Sequence, residues 1–201
     1  MFSIIIKIIL HENENENVND GNFQRYESIF EAVNSGDLNR VKTLVGGNPE
    51  AVKAKCPFSG KTQLHVVVTC GHLDIVEELV KLMNDEDLMI PRKDNYTVLA
   101  AAIEIRNESI AKCLIGRNQE LLVTKSFNLP VVQAVIFGQQ DLAHYLYRVT
   151  PPDALTEQEN GLYGVELTSA CMYRKYFALH RYPLAFAEAF PTFVLDSPCT
   201  D

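Results

Sequence analysis

His65, Cys70 and His72 form the tightest group of reactive side chain types in the chain. An imidazole close to a thiol can take its proton and create a thiolate nucleophile, and thiols with imidazoles at the right spacing hold zinc. The wider sequence argues against both. Cys56, Cys70, Cys113, Cys171 and Cys199 contain no C-x-x-C pair, and an odd number in a chain too long to need staples points to free thiols in a reducing compartment. Their positions suit small buried residues. His11, His144 and His180 have no matching partner, and Gly46-Gly47 stands alone and reads as a helix end, not a phosphate loop. The carboxylates Glu77-Glu78 and Asp85-Glu86-Asp87 fall on a polar helix face or in the turn after it, where solvation accounts for them. Asn107-Glu108-Ser109 fits a glycosylation pattern but opens a predicted helix. The sequence therefore predicts no catalytic, cofactor-binding or metal-binding residue, and not an enzyme.

The elements that carry these residues repeat. Gly36, Gly71, Arg106 and Gly138 form a column with spacings of 35, 35 and 32 residues. Eight residues after each come Leu44, Leu79, Leu114 and Leu146; four and five after come pairs such as Ile75-Val76 and Leu142-Ala143. These offsets lie on one stripe of a helix. Ile29, Leu64, Leu99 and Val131 stand seven before the column, and Ala32, Val67, Ala102 and Ala134 four before it. Each unit is thus predicted to be a pair of helices, the first with small residues that permit close packing. In the second unit Thr62 suits a helix cap, Leu64 enters the core and Gly71 permits the tight turn.

Thr62-Gln63-Leu64-His65 with Gly71-His72 resembles the T-P-L-H and G-H landmarks of ankyrin repeats, whose period is about 33 residues. The resemblance implies an all-α solenoid of four clear units and a degenerate fifth, near residues 25–58, 59–92, 93–125, 126–158 and 162–190, within an array over 23–190. In the fifth unit Leu167 and Ala170 are expected to take the repeat positions, and Pro183 to end the second helix early. Residues 1–22 read as a poorly ordered leader, because MFSIIIKIIL is too short to span a membrane and lacks the flanks of a signal peptide. Residues 191–201 read as a tail. The resemblance further implies that His65 and His72 hydrogen-bond backbone groups within and between units. A narrower likeness is carried by "NLPVVQAVIFGQQDLAHYLYRVTP" and "LTSACMYRKYFALHRYPLAFA", which resemble plant ankyrin proteins of the accelerated-cell-death and impaired-ion-homeostasis type. That family usually continues into a P-G-G domain and membrane helices, which this sequence does not contain. It implies a role in stress or defence signalling, with the cytosolic part of a membrane-associated regulator as the alternative.

An ankyrin array binds through its concave face and the loops joining its units. Carried over by repeat position, the expected surface includes Phe58, Lys61 and Thr69 in unit two, Lys93, Tyr96, Glu104 and Ile105 in unit three, and Lys125, Asn128, Ile136 and Phe137 in unit four. The chain carries a formal charge of −8, with 26 acidic and 18 basic residues, which disfavours nucleic acid as a partner of the whole surface. Yet the loops at 53–61, 91–96 and 124–128 contain Lys53, Lys55, Lys61, Arg92, Lys93 and Lys125 against Asp94 alone. This predicts a basic stripe on an acidic solenoid. The stripe suits an acidic peptide or a lipid headgroup layer. The expected partner is another protein, through an acidic segment, bound by a monomer in the cytoplasm or at the cytosolic face of a membrane. Membrane contact is expected only through the family regions not contained here or weakly through the leader.

Overall fold

The computed structural model describes residues 28–48, 52, 53, 55, 60–156 and 161–175. Its framework is set by a column of left-handed residues. Gly36, Gly71 and Gly138 have φ of 72, 80 and 73°, and Arg106 adopts 59° although it carries a side chain. Each such residue ends one helix and lets the chain reverse into the next. At Gly71 the amide donates to the carbonyls of both Val67 and Val68, closing the first helix of its unit.

Helix pairs follow from this punctuation. Unit one has helical backbone at 28–34 (α1) and then α2, Leu38–Gly47. Unit two has α3, Gln63–Cys70, and α4, Leu73–Leu82, followed by the short α5, Asp85–Leu88. Unit three has α6, Val98–Glu104, and α7, Glu108–Arg117, with a 3-10 turn at Gln119–Leu122. Unit four has α8, Pro130–Ile136, and α9, Gln140–Val149. After α10, Pro152–Thr156, comes α11, Leu162–Arg174. The first helices α3, α6, α8 and α11 stack side by side, and each of α3, α6 and α8 packs on the second helix of its own unit. Among the described residues there is no β-strand, only an isolated antiparallel bridge between Lys55 and Thr62.

The core is the predicted one except at Leu44, which is half-buried and packs against its edge. Leu64, Leu79, Leu99, Leu114, Val131 and Leu146 are all fully buried, as are Ala32, Val67, Ala102 and Ala134 where helices meet. The start of α3 is also as read, and α6 and α8 open in related ways. Thr62 Oγ1 accepts from the His65 amide, Thr97 caps α6 in the same way, and Pro130 occupies the first turn of α8, where its missing N–H costs nothing. Asn107, from the glycosylation-like triplet, accepts from the Ile110 amide as the cap of α7.

Two expectations are corrected. In unit five the left-handed residue is Lys175, φ 56°. Counting back from it places Thr168 and Cys171 in the two repeat positions, one residue beyond Leu167 and Ala170, and both are buried. Asp87 is not a solvated turn carboxylate. It accepts from the Asn84 amide, which caps α5, and pairs with Lys53 at 3.4 Å. The expected second helix of unit five, the leader and the tail lie outside the described residues.

Candidate interaction surface

The surface is positioned by the junction of units two and three. His65 is fully buried on α3. Its Nδ1 accepts from the Thr62 amide at 3.4 Å and lies 2.9 Å from Thr62 Oγ1, while Nε2 is 3.1 Å from the carbonyl oxygen of Tyr96 in the next unit. A carbonyl can only accept, so Nε2 carries the proton and Nδ1 is the acceptor. Burial drives the ring's pKa down to about 4, against the opposing pull of the Tyr96 carbonyl. His65 is therefore neutral, has both nitrogens committed and is not placed to act as a base. His72 is half-buried with its ring against Gly36 of the preceding unit, where an added Cβ would come within 2.9 Å. Cys70, Cys113 and Cys171 are free thiols whose pKa values burial raises, in Cys171 to about 11. Such thiols are poor nucleophiles at neutral pH. Among the described residues no group of His, Cys, Asp or Glu side chains has the geometry of a metal site.

The loop edge is built by short reversals. Arg92 and Asn95 close a turn in which the Asn95 amide donates to the Arg92 carbonyl, and Asn95 takes φ 58°. The preceding loop passes so close that a Cβ on Gly60 would lie 2.9 Å from the backbone nitrogen of Lys93. The Ser126 hydroxyl donates to the Asn95 carbonyl, joining the loops of units three and four.

On this edge the structure corrects Tyr96. It was expected as an exposed anchor, but it is only 5% exposed, because its ring packs into the core. Its hydroxyl donates to Glu104 Oε2 at 2.9 Å, and Arg92 lies over the ring at 4.4 Å from the centroid. Burial and Glu104 raise the phenol's pKa. The exposed aromatic is Phe127 instead, 65% accessible, with its ring centroid 5.9 Å from that of Tyr96. Sequence reading missed it, although an aromatic at the tip of a lysine- and serine-containing loop was the available signal.

The remaining expected residues are distributed unevenly. Lys93, Thr69 and Glu104 are exposed, and Lys61 and Ile105 half-buried. Lys125 is half-buried with Nζ 4.8 Å from the ring of Tyr163, and Asn128 donates to Glu166 at 3.3 Å, so both are engaged with unit five. Ile136 is exposed, whereas Phe137 packs against the core and offers its carbonyl to Arg106 at 2.7 Å. Phe58 lies outside the described residues. The basic stripe is also narrower than the sequence suggests. Arg92 is paired through both Nε and Nη2 with Asp94, and Lys53 is paired with Asp87.

A second stripe runs across the first helices. The residues two before each left-handed turn, Asn34, Thr69, Glu104, Ile136 and Tyr173, are all exposed. It is polar in the first three units and apolar in the last two. The helical pairs, their left-handed turns and the loop edge together have the arrangement that the tetrapeptide and glycine landmarks imply. Residues 29–125 match the family described as Ankyrin repeats, in three copies. No curated protein matches the chain. The fold is all-α, and residues 29–125 are ankyrin repeats of a solenoid that the helices continue to Arg174.

Proposed function

We propose that this chain is a protein-interaction module that binds an acidic segment of its partner along the loop edge, with Phe127 as the apolar anchor and Lys61, Lys93 and Lys125 as the surrounding charge. Ankyrin repeats generally mediate protein–protein interaction. The observation that carries the finer reading is Phe127, a large aromatic 65% exposed at a loop tip beside lysines in a chain of net charge −8. Aromatic side chains at an interface centre supply most of its energy, and complementary charge sets orientation and on-rate. Glu104, Ile105, Asn128 and Thr69 border the same surface, and the chain works as a cytoplasmic monomer.

The likeness of "NLPVVQAVIFGQQDLAHYLYRVTP" to plant accelerated-cell-death and impaired-ion-homeostasis proteins supports a place in stress or defence signalling. The membrane-associated alternative rests on that likeness alone. Among the described residues no helix is long and apolar enough to cross a membrane.

The test compares proteins captured by the intact chain, by Phe127→Ala and by the triple Lys61→Glu, Lys93→Glu, Lys125→Glu variant, with Lys42→Glu on α2 as control. A partner held by the intact chain and the control, lost by Phe127→Ala and released by moderate salt supports the reading. Capture unaffected by either loop variant would overturn it.

A further inference from the structure

Two guanidinium groups converge on one helix end. Arg106 of unit three donates through Nη2 to the Phe137 carbonyl at 2.7 Å, and Arg174 of unit five donates through Nη2 to the Ile136 carbonyl. The two acceptors belong to adjacent residues at the end of α8, so the cations lie within about 10 Å of each other. Both arginines are exposed. Each carbonyl bond spends one N–H of a planar fork and leaves the other donors unspent.

Neither cation has a counter-ion. Arg40, Arg92 and Arg117 each pair with a carboxylate, at 3.4, 2.6 and 2.5 Å, whereas among the described residues no carboxylate pairs with Arg106 or Arg174. The neighbouring acids are taken: Glu104 accepts from Tyr96, Glu108 pairs with Lys112 at 2.6 Å, and Glu166 accepts from Asn128. A helix dipole offers at most about half a negative charge at its end, so two guanidinium groups leave about +1.5 uncompensated. This happens in a chain whose net charge is −8. A carboxylate brings a single negative charge and matches one fork. A phosphoryl group on a side chain brings about −1.5 to −2 and three acceptor oxygens, which fits both forks and the charge. The surface beside the pair is apolar. Ile136 is 41% exposed and Tyr173, directly before Arg174, 85% exposed, in the column where the earlier units carry Asn34, Thr69 and Glu104.

We propose that the end of α8 is a phosphopeptide subsite, in which Arg106 and Arg174 hold the phosphoryl group between them while Ile136 and Tyr173 seat an apolar side chain beside it in the bound segment. Arg106 stands at φ 59°, where the other clear units have glycine. An arginine there supplies the half of the clamp that glycine cannot. The subsite uses none of the loop-edge residues, so it does not rest on the reading of Phe127 and its lysines.

The test applies peptide pools with degenerate flanks to the immobilised full chain, one pool with phosphoserine fixed at the centre and one with phosphotyrosine, beside control pools with serine, tyrosine or glutamate in that place. The expected result is retention of a phosphorylated pool about tenfold or more above every control, with apolar residues enriched beside the phosphorylated one. Retention should be lost in the Arg106→Gln, Arg174→Gln double variant and kept in Phe127→Ala. Equal retention of the glutamate pool would overturn the proposal by giving the pair to plain carboxylates, and so would retention undiminished in the arginine variant. Titration of the unmodified chain with phenyl phosphate gives an answer that does not depend on how the variants fold. The Nε–H resonances of Arg106 and Arg174 should shift together, and no shift at either would overturn the proposal. Capture by vesicles containing phosphoinositides, with no phosphorylated pool retained, would also overturn it and assign the pair to a lipid surface.

Discussion

Units two and three share a buried imidazole bridge in addition to a guanidinium at the rim, whereas units three, four and five are linked by guanidinium groups at the rim without a buried imidazole. At the first junction His65 sits in the core and bridges Thr62 to the Tyr96 carbonyl. At the next two junctions the equivalent positions are Ala100 on α6 and Val132 on α8, both buried and neither with a side chain that can make such a bridge. The last carbonyls of α8 are instead approached from both neighbours, Phe137 by Arg106 of unit three and Ile136 by Arg174 of unit five. Cations at a helix C-terminus also complement its dipole. The repeat thus tolerates either a polar or an apolar residue at one interior position, provided that carbonyls at the junction find donors elsewhere. The two solutions differ in what they risk. The buried link is sensitive to any change that leaves a polar atom unpaired, while the rim links can exchange with water.

The largest expected effect is at the buried link. His65→Ala removes a ring from the core, leaves the Thr62 amide without its acceptor and leaves the Tyr96 carbonyl with the Arg92 amide as its donor, at a cost of roughly 3 kcal/mol. Urea unfolding followed by circular dichroism measures it, and a loss below about 1 kcal/mol would show that the junction does not depend on the imidazole. Acid should act through the same residue. The ring stays neutral in the folded state down to about pH 4, while the unfolded chain takes up its proton near 6.5. Between those values the unfolded state binds more protons, so the contribution is complete above about 6.5, falls as pH drops and levels off below about 4. At about 1.4 kcal/mol per unit the loss is at most roughly 3 kcal/mol. In His65→Ala this part of the pH slope should vanish, and an unchanged slope between pH 4 and 6.5 would assign it to other groups.

The contrast between the two junctions also explains what could be read from sequence. Period, core columns and helix starts were legible because they depend on residues within one unit: Leu64, Leu99 and Val131 repeat at fixed offsets, and Thr62 and Pro130 act on their own helices. What was not legible depends on tertiary pairs, most of them about one repeat apart. Tyr96 reads as a polar aromatic in a loop, but the His65 bond to its carbonyl and the Glu104 bond to its hydroxyl draw it inward. Phe127 reads as one more loop residue, yet it is left outside because Tyr96 already fills the space beneath it. Likewise the lysines could be counted, but their neutralisation could not. Asp87 lies far from Lys53 in sequence, and only the fold brings them to 3.4 Å.

A rim link between units two and three gives an intermediate effect. Arg117, at the end of α7, donates to the carbonyls of Val80 and Met83 and to Asp85 Oδ1, at 3.2, 2.9 and 2.5 Å. Its side chain is partly exposed, so the ion pair itself contributes little, and the carbonyl bonds matter more. Arg117→Ala should cost about 1 to 2 kcal/mol, and Arg117→Lys should recover only part of that, because an ammonium cannot span three acceptors with the same planar fork. Equal stability of the alanine and lysine variants in urea would mean that the fork geometry is irrelevant.

The smallest net effect is expected at Arg106, where two terms oppose each other. The residue occupies the glycine column with φ 59°, a conformation that costs a side-chain-bearing residue about 1 kcal/mol. Against this it gains the bond to the Phe137 carbonyl, worth about 1 kcal/mol at an exposed site. Arg106→Gly removes both terms and should leave stability within about 0.5 kcal/mol of the starting protein. Arg106→Ala loses the bond and keeps the strain, so it should be about 1 kcal/mol less stable than the glycine variant. Coincident urea transitions for the two variants would show that the left-handed turn carries no such cost at this position. They would also show that the guanidinium alone accounts for the arginine where every other clear unit has glycine.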